Sequence, residues 1–137
     1  MTCTFFGHRI CPESIKTPLR ATIVDLIENK GVFDFYVGNQ GDFDRQVREI
    51  LSQLKEIYPQ IRYSVVLAYL PQRDKIPENS VFPEEIACVP PRYAISKRNR
   101  WLLCRADYVI TYVRSVSGGA ATFDALAEKA GKKMIRL

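Results

Sequence analysis

The sequence predicts an α/β protein, a Rossmann-like three-layer sandwich on a mainly parallel sheet. Three observations predict it. Short apolar runs alternate with segments whose apolar residues recur at helical spacing. The run Val65-Val66-Leu67-Ala68 is apolar throughout, as a strand buried on both faces would be. Glycine-bearing turns follow three of the predicted strands, at the sheet end where such folds gather their ligands.

The elements follow in order. Residues 2–6 (TCTFF) form a β-prone run closed by Gly7. A helix follows, with Pro18 suited to its first turn, Leu19, Ile23, Leu26 and Ile27 on one face, and Gly31 as its stop. Residues 33–37 (FDFYV) are the second strand. Phe43, Val47, Ile50, Leu51, Leu54 and Ile57 then mark an amphipathic helix reaching about Tyr58, before Pro59. Residues 61–69 (IRYSVVLAY) are the third strand. The proline-rich connection after it is long for a compact domain, and Glu85–Val89 is its candidate extended element. Residues 94–105 read as a helix, 107–113 as a strand, 119–131 as a helix and 133–137 as a last strand. The 137 residues suit one domain, 1–137, with no repeat, low-complexity tract or linker.

Composition narrows the function classes. No run of about 18 apolar residues exists, so no membrane span is expected. The first residues lack the basic and apolar regions of a secretory leader. The four cysteines form no CxxC pair, and Cys3 and Cys104 lie in apolar runs as core thiols would, so a reduced, cytoplasmic setting fits. His8 and Cys11 share a three-residue spacing, but without a second Cys/His pair no metal site and no cofactor is assigned. The net charge of +5 favours anionic partners without choosing among nucleotides, nucleic acid or a membrane surface.

The loops after the strands carry the candidate chemistry. Gly7-His8-Arg9 follows the first strand, and an arginine there suits bidentate pairing with phosphate. His8 is open to a structural or a binding role. Gly38-Asn39-Gln40-Gly41 leads into a helix whose Asp42 or Asp44 either caps it or faces a ribose or a cationic ring. Ser117-Gly118-Gly119 opens the last helix, with Ser117 and Thr122 adding hydroxyls. That turn is either an anion cradle or simply a tight corner. Neither Walker A nor GxGxxG is present, which excludes those two phosphate-binding designs. Between residues 92 and 105 stand Arg92, Lys97, Arg98, Arg100 and Arg105, and on a helix Lys97, Arg98 and Arg105 diverge enough that not all can face one ligand. Trp101 among them is either a core residue or part of a nucleic-acid surface.

Four segments, CTFFGHR at 3–9, VGNQGDFD at 37–44, VPPRYAISKRNRWLL at 89–103 and SGGAATFDAL at 117–126, fall in an order that resembles the SLOG superfamily. That superfamily groups Lonely Guy (LOG) phosphoribohydrolases with the DNA-processing protein DprA. The small bacterial and phage branch of YpsA-like proteins is the nearest in pattern. In the resemblance, Arg98 stands nine residues before Asp107, as an arginine and a strand-opening aspartate do in LOG enzymes. Gly118, Gly119 and Thr122 match the phosphate-binding PGGxGT loop. Ser117 replaces its proline, Ala121 its third glycine, and Asp124-Ala125 its acidic pair.

The resemblance implies a protein that binds a nucleotide-derived small molecule, such as NAD, ADP-ribose or another phosphorylated nucleoside, as a sensor or a sequestering protein. Gly118 and Gly119 would cradle phosphate, Arg98 with Arg9 would neutralise charge, and Gly38 and Gly41 would admit a ribose held by Asp44 or Asp124. A LOG-like hydrolase with Asp124 as acid–base group and Arg98 on the phosphate is the alternative, and single-stranded nucleic-acid binding the second. A homo-oligomer and a protein effector are the implied partners.

Overall fold

The computed structural model describes residues 1–137. Six strands form one sheet: β1 (Thr2–Gly7), β2 (Asp34–Val37), β3 (Arg62–Val66), β4 (Ser80–Val81), β5 (Tyr108–Tyr112) and β6 (Lys133–Arg136). Every pairing is parallel, and the order is β4-β3-β2-β1-β5-β6. The chain moves outward from β1 to β4, then crosses back to place β5 on the other side of β1. The strand order therefore reverses between β1 and β5, which opens a crevice at their carboxyl ends.

Five helices cover the sheet: α1 (Lys16–Lys30), α2 (Gly41–Ile57), α3 (Glu84–Ala87), α4 (Pro91–Arg105) and α5 (Gly119–Lys129). Neighbouring residues of a strand point to opposite faces. Thus Phe5 and Ile110 pack with Leu19, Ile23, Val47 and Leu51 of α1 and α2. Phe6 and Val109 pack with Leu102, Phe123 and Ala127 of α4 and α5. The first core holds 22 buried residues and the second 8, so the α4–α5 side is the thinner layer and leaves room near the crevice. No helix is long and apolar enough to cross a membrane.

Several expected boundaries shift. The sheet is wholly rather than mainly parallel. The segment 85–89 is not extended: Glu84–Ala87 is a helical turn, and the short added strand is Ser80–Val81 instead. Pro83 starts that turn, since its carbonyl accepts from the N–H groups of Ile86 and Ala87, and Ile86 is buried in the smaller core. Helix α4 starts at Pro91, earlier than residue 94, because a proline at the first helical position loses no hydrogen bond. β3 ends at Val66, although Leu67 and Ala68 remain buried. The last helix closes at Lys129 and the last strand at Arg136. Cys3 is a core thiol, but Cys104 is exposed. It stands two residues past the buried Leu102 on α4, which is more than half a turn around the helix.

Candidate functional site

A cavity of about 300 Å³ lies at the carboxyl end of β1, at the reversal of strand order. Its floor is Phe5, Phe6 and Gly7 of β1. His8 and Arg9 line it from the next loop, Gly38 and Gln40 from the turn after β2, and Asp44 from α2. Helix α4 contributes Ile95, Arg98, Asn99 and Leu102, and the first turn of α5 contributes Gly119 and Ala120. Three separate predicted loops thus meet in one place.

Arg98 is the central cation. Ala94, Arg98 and Leu102 recur every four residues, so they form the buried face of α4. Arg98 is only 3% exposed. Its Nε donates to Asn99 Oδ1 at 2.9 Å, its Nη1 donates to the Val66 carbonyl at 3.2 Å, and its Nη2 makes no hydrogen bond. No carboxylate lies within ion-pair distance of it. Burial lowers its proton affinity, opposed by the charge of Asp44, and a guanidinium keeps its charge in such a setting. A buried guanidinium with one donor nitrogen free of hydrogen bonds thus borders the cavity.

Asp44 faces the same cavity and is also buried. Its Oδ2 accepts the Gln40 N–H at 2.9 Å, so it does close the turn into α2. Burial raises its pKa above the ordinary carboxylate value, with Arg98, the Gln40 N–H and Arg48 acting against that rise. Arg48 also reaches back to donate to the Gly38 carbonyl at 3.4 Å. Asp42 ties the turn to the loop after β1. Its Oδ2 accepts the Cys11 N–H, and its own N–H donates to the Arg9 carbonyl at 2.7 Å.

The glycines of these loops divide sharply. A Cβ on Gly38 would collide with Arg98 and Asp44. One on Gly41, which has φ +87°, would collide with the backbone of Arg9, and one on Gly7 would overlap the Phe43 ring. These three exist because neighbouring chain fills the space. A Cβ on Gly118 (φ +99°) or on Gly119 would meet nothing within 4 Å, and both residues are exposed. Gly118 is required by its backbone angle, whereas no packing inside the chain accounts for Gly119. The first N–H groups of α5 have no intrahelical acceptor, and no side chain caps them.

The remaining predicted residues fall outside the cavity lining. Ser117, Gly118 and Thr122 are exposed and do not line it, and the Thr122 hydroxyl donates to the Gly118 carbonyl at 2.9 Å. Asn39 sits in the turn but does not line the cavity. Asp124 is engaged elsewhere. Its Oδ2 accepts from the Thr111 hydroxyl at 2.7 Å, and Arg136 grips both carboxylate oxygens at 2.9–3.2 Å. Those bonds hold its pKa below the usual range. It is an ionised structural anchor between α5, β5 and β6.

His8 lines the cavity and also ties its walls together. Its Nε2 accepts the Arg114 N–H at 2.6 Å, and its ring stands edge-on to Tyr112. It therefore links the loop after β1 to the loop after β5. Trp101 is half-buried against Tyr36, donates to Glu85 and lies under the Arg105 guanidinium. No group of three or more His, Cys, Asp or Glu side chains is placed to hold a metal ion. Sequence reading missed Ile95, Asn99 and Leu102, although with Arg98 they make an i, i+3, i+4, i+7 stripe that could have marked the cavity wall.

No family model matches the chain, and no curated protein matches it.

Proposed function

We propose that the chain binds a nucleotide-derived, phosphate-bearing small molecule in this cavity, as a sensor or sequestering protein of the SLOG type. One observation carries the proposal: the uncapped N-terminus of α5, with Gly119 open to solvent, and the buried Arg98 line the same cavity. Helix N-termini attract anions through free N–H groups and the macrodipole. A phosphate seated over Gly119 would use the space its missing side chain leaves open. Arg9, which makes no salt bridge, adds positive charge at the mouth. Gln40 and Asn99 supply neutral donors and acceptors for the rest of the ligand. With Asp124 committed to Arg136, the hydrolytic alternative has no acid from α5 within the cavity, and binding is the stronger reading.

Isothermal titration against NAD, ADP-ribose, cyclic ADP-ribose isomers, AMP and cyclic dinucleotides tests this. At least one is expected to bind and to be recovered chemically unchanged. Gly119→Val, which projects a branched side chain over the helix N-terminus, is expected to weaken it at least tenfold. Failure of the whole panel, or binding indifferent to Gly119→Val, overturns the reading.

A further inference from the structure

The loop between Tyr112, which ends β5, and Gly118, which precedes α5, leads directly to the proposed anion site. It is sparsely tied. Between Val113 and Ser117 the Ser117 N–H donates within the loop, to Ser115 Oγ at 3.3 Å, and the Arg114 N–H donates to His8 Nε2 at 2.6 Å. The Arg114 guanidinium reaches the other way, to the Leu137 carbonyl at 2.8 Å. The bond to His8 is therefore what fastens this loop to the loop after β1, on the cavity side.

A ring nitrogen that accepts a hydrogen bond carries no proton, so neutral His8 has its proton on Nδ1. A second proton goes to Nε2 and sets donor against donor, which breaks the bond to Arg114. Imidazole is the side chain whose charge ordinarily changes between about pH 5 and 8, and His8 is the chain's one histidine. The charged groups around it are Arg9 on its own loop, Arg114 on the loop it holds, and Arg98 and Asp44 among the residues lining the same cavity. The Tyr112 ring stands edge-on to it from β5.

We propose that His8 is a positioning residue for the anion site: its neutral imidazole holds the loop before α5 in place, and protonation frees that loop and weakens anion binding. This inference rests on the proposed phosphate site and adds its regulation by protons. It also commits to a sign. A histidine that met the phosphate as a cation would strengthen binding in acid, whereas a latch weakens it.

NMR on the full chain tests the bond and its consequence separately. The imidazole nitrogen shifts at about pH 8 should show the Nδ1–H tautomer. At that pH the Arg114 amide should exchange about fivefold more slowly than in His8→Phe, which keeps a ring but no acceptor. Titration with inorganic sulfate at about pH 8 and about pH 5 then reads the site with a probe whose own charge stays fixed. His8→Gln offers an accepting oxygen in place of Nε2 and does not titrate. It retains Asp44 and every other titrating group, so their effects cancel in the comparison. Between the two pH values the parent should lose about fivefold more sulfate affinity than His8→Gln, the size expected of one hydrogen bond. His8→Phe should bind sulfate more weakly than His8→Gln already at the higher pH. If the parent follows His8→Gln, or gains on it in acid, the latch is overturned and the anion site stands. An Nε2–H tautomer at the higher pH overturns it as well. If sulfate does not bind the parent at either pH, the phosphate site itself falls and takes this inference with it.

Discussion

Two units of this protein share one design in sequence and opposite physics in space. Each is a strand, a glycine-bounded turn and a helix carrying an aspartate: β2 to α2 with Gly38, Gly41 and Asp44, and β5 to α5 with Gly118, Gly119 and Asp124. In the first, the glycines are crowded by Arg98, Asp44 and Arg9, and the aspartate is buried beside the cavity. In the second, the glycines face open space, and the aspartate is locked to Thr111 and Arg136. A glycine turn thus occurs in two settings, packed against neighbouring chain or open to solvent. What surrounds the missing side chain decides between them.

The largest break in this contrast is expected at Gly41→Ala. Its φ of +87° is poorly tolerated by alanine, and the new methyl would meet the Arg9 backbone, which cannot rotate away. Strain and overpacking together should destabilise by about 3 kcal/mol. That corresponds to a fall in Tm of roughly 10 °C for a domain of this size, read by thermal unfolding.

The two aspartates should then respond to neutralisation with opposite signs. Asp124 is held below the ordinary carboxylate pKa, so its stabilising contribution is present above about pH 4 and disappears as pH falls through its lowered native value. Asp124→Asn should cost about 1 kcal/mol at pH 7, a modest figure because Arg136 is 47% exposed on its side chain, and the deficit should close in acid. Asp44 is raised by burial, so its charge opposes folding above that raised value despite Arg98 and Arg48 nearby. Asp44→Asn should therefore be more stable than the parent at pH 8, with the advantage shrinking as pH falls toward about 4. Urea unfolding from acid to mildly alkaline pH reads both, and a loss of stability for Asp44→Asn at pH 8 would show that Arg98 outweighs burial.

The smallest effect is expected at Gly119→Ala. Nothing lies within 4 Å of the added methyl, and alanine is the better helix former. Stability should stay within about 0.5 kcal/mol of the parent, again by urea unfolding. A large loss would mean that Gly119, like Gly41, serves packing and would collapse the contrast between the two turns.

Much of this was legible in the chain. The stripes Leu19-Ile23-Leu26-Ile27 and Val47-Ile50-Leu51-Leu54 announced two core helices, because periodic burial leaves a periodic sequence. The apolar centre of β3 announced a sheet covered on both faces. The turns at Gly7, Gly38 and Gly119 announced where the cavity would be, since parallel strands bring their carboxyl ends together.

Tertiary structure alone decided the rest. The segment 84–87 has no period long enough to identify it, and it became a helical turn because Pro83 starts one and Ile86 has a pocket to enter. Cys104 lies in an apolar run yet is exposed, since the rotation of α4 turns only every third or fourth residue inward. Asp44 and Asp124 are alike in local sequence. Their roles parted only when folding set Arg98, 54 residues along the chain, across from one, and Arg136, on the edge strand, against the other. Local sequence sets which way a side chain faces along its own element. Which distant group it meets depends on how the sheet orders its strands, and no single segment carries that information.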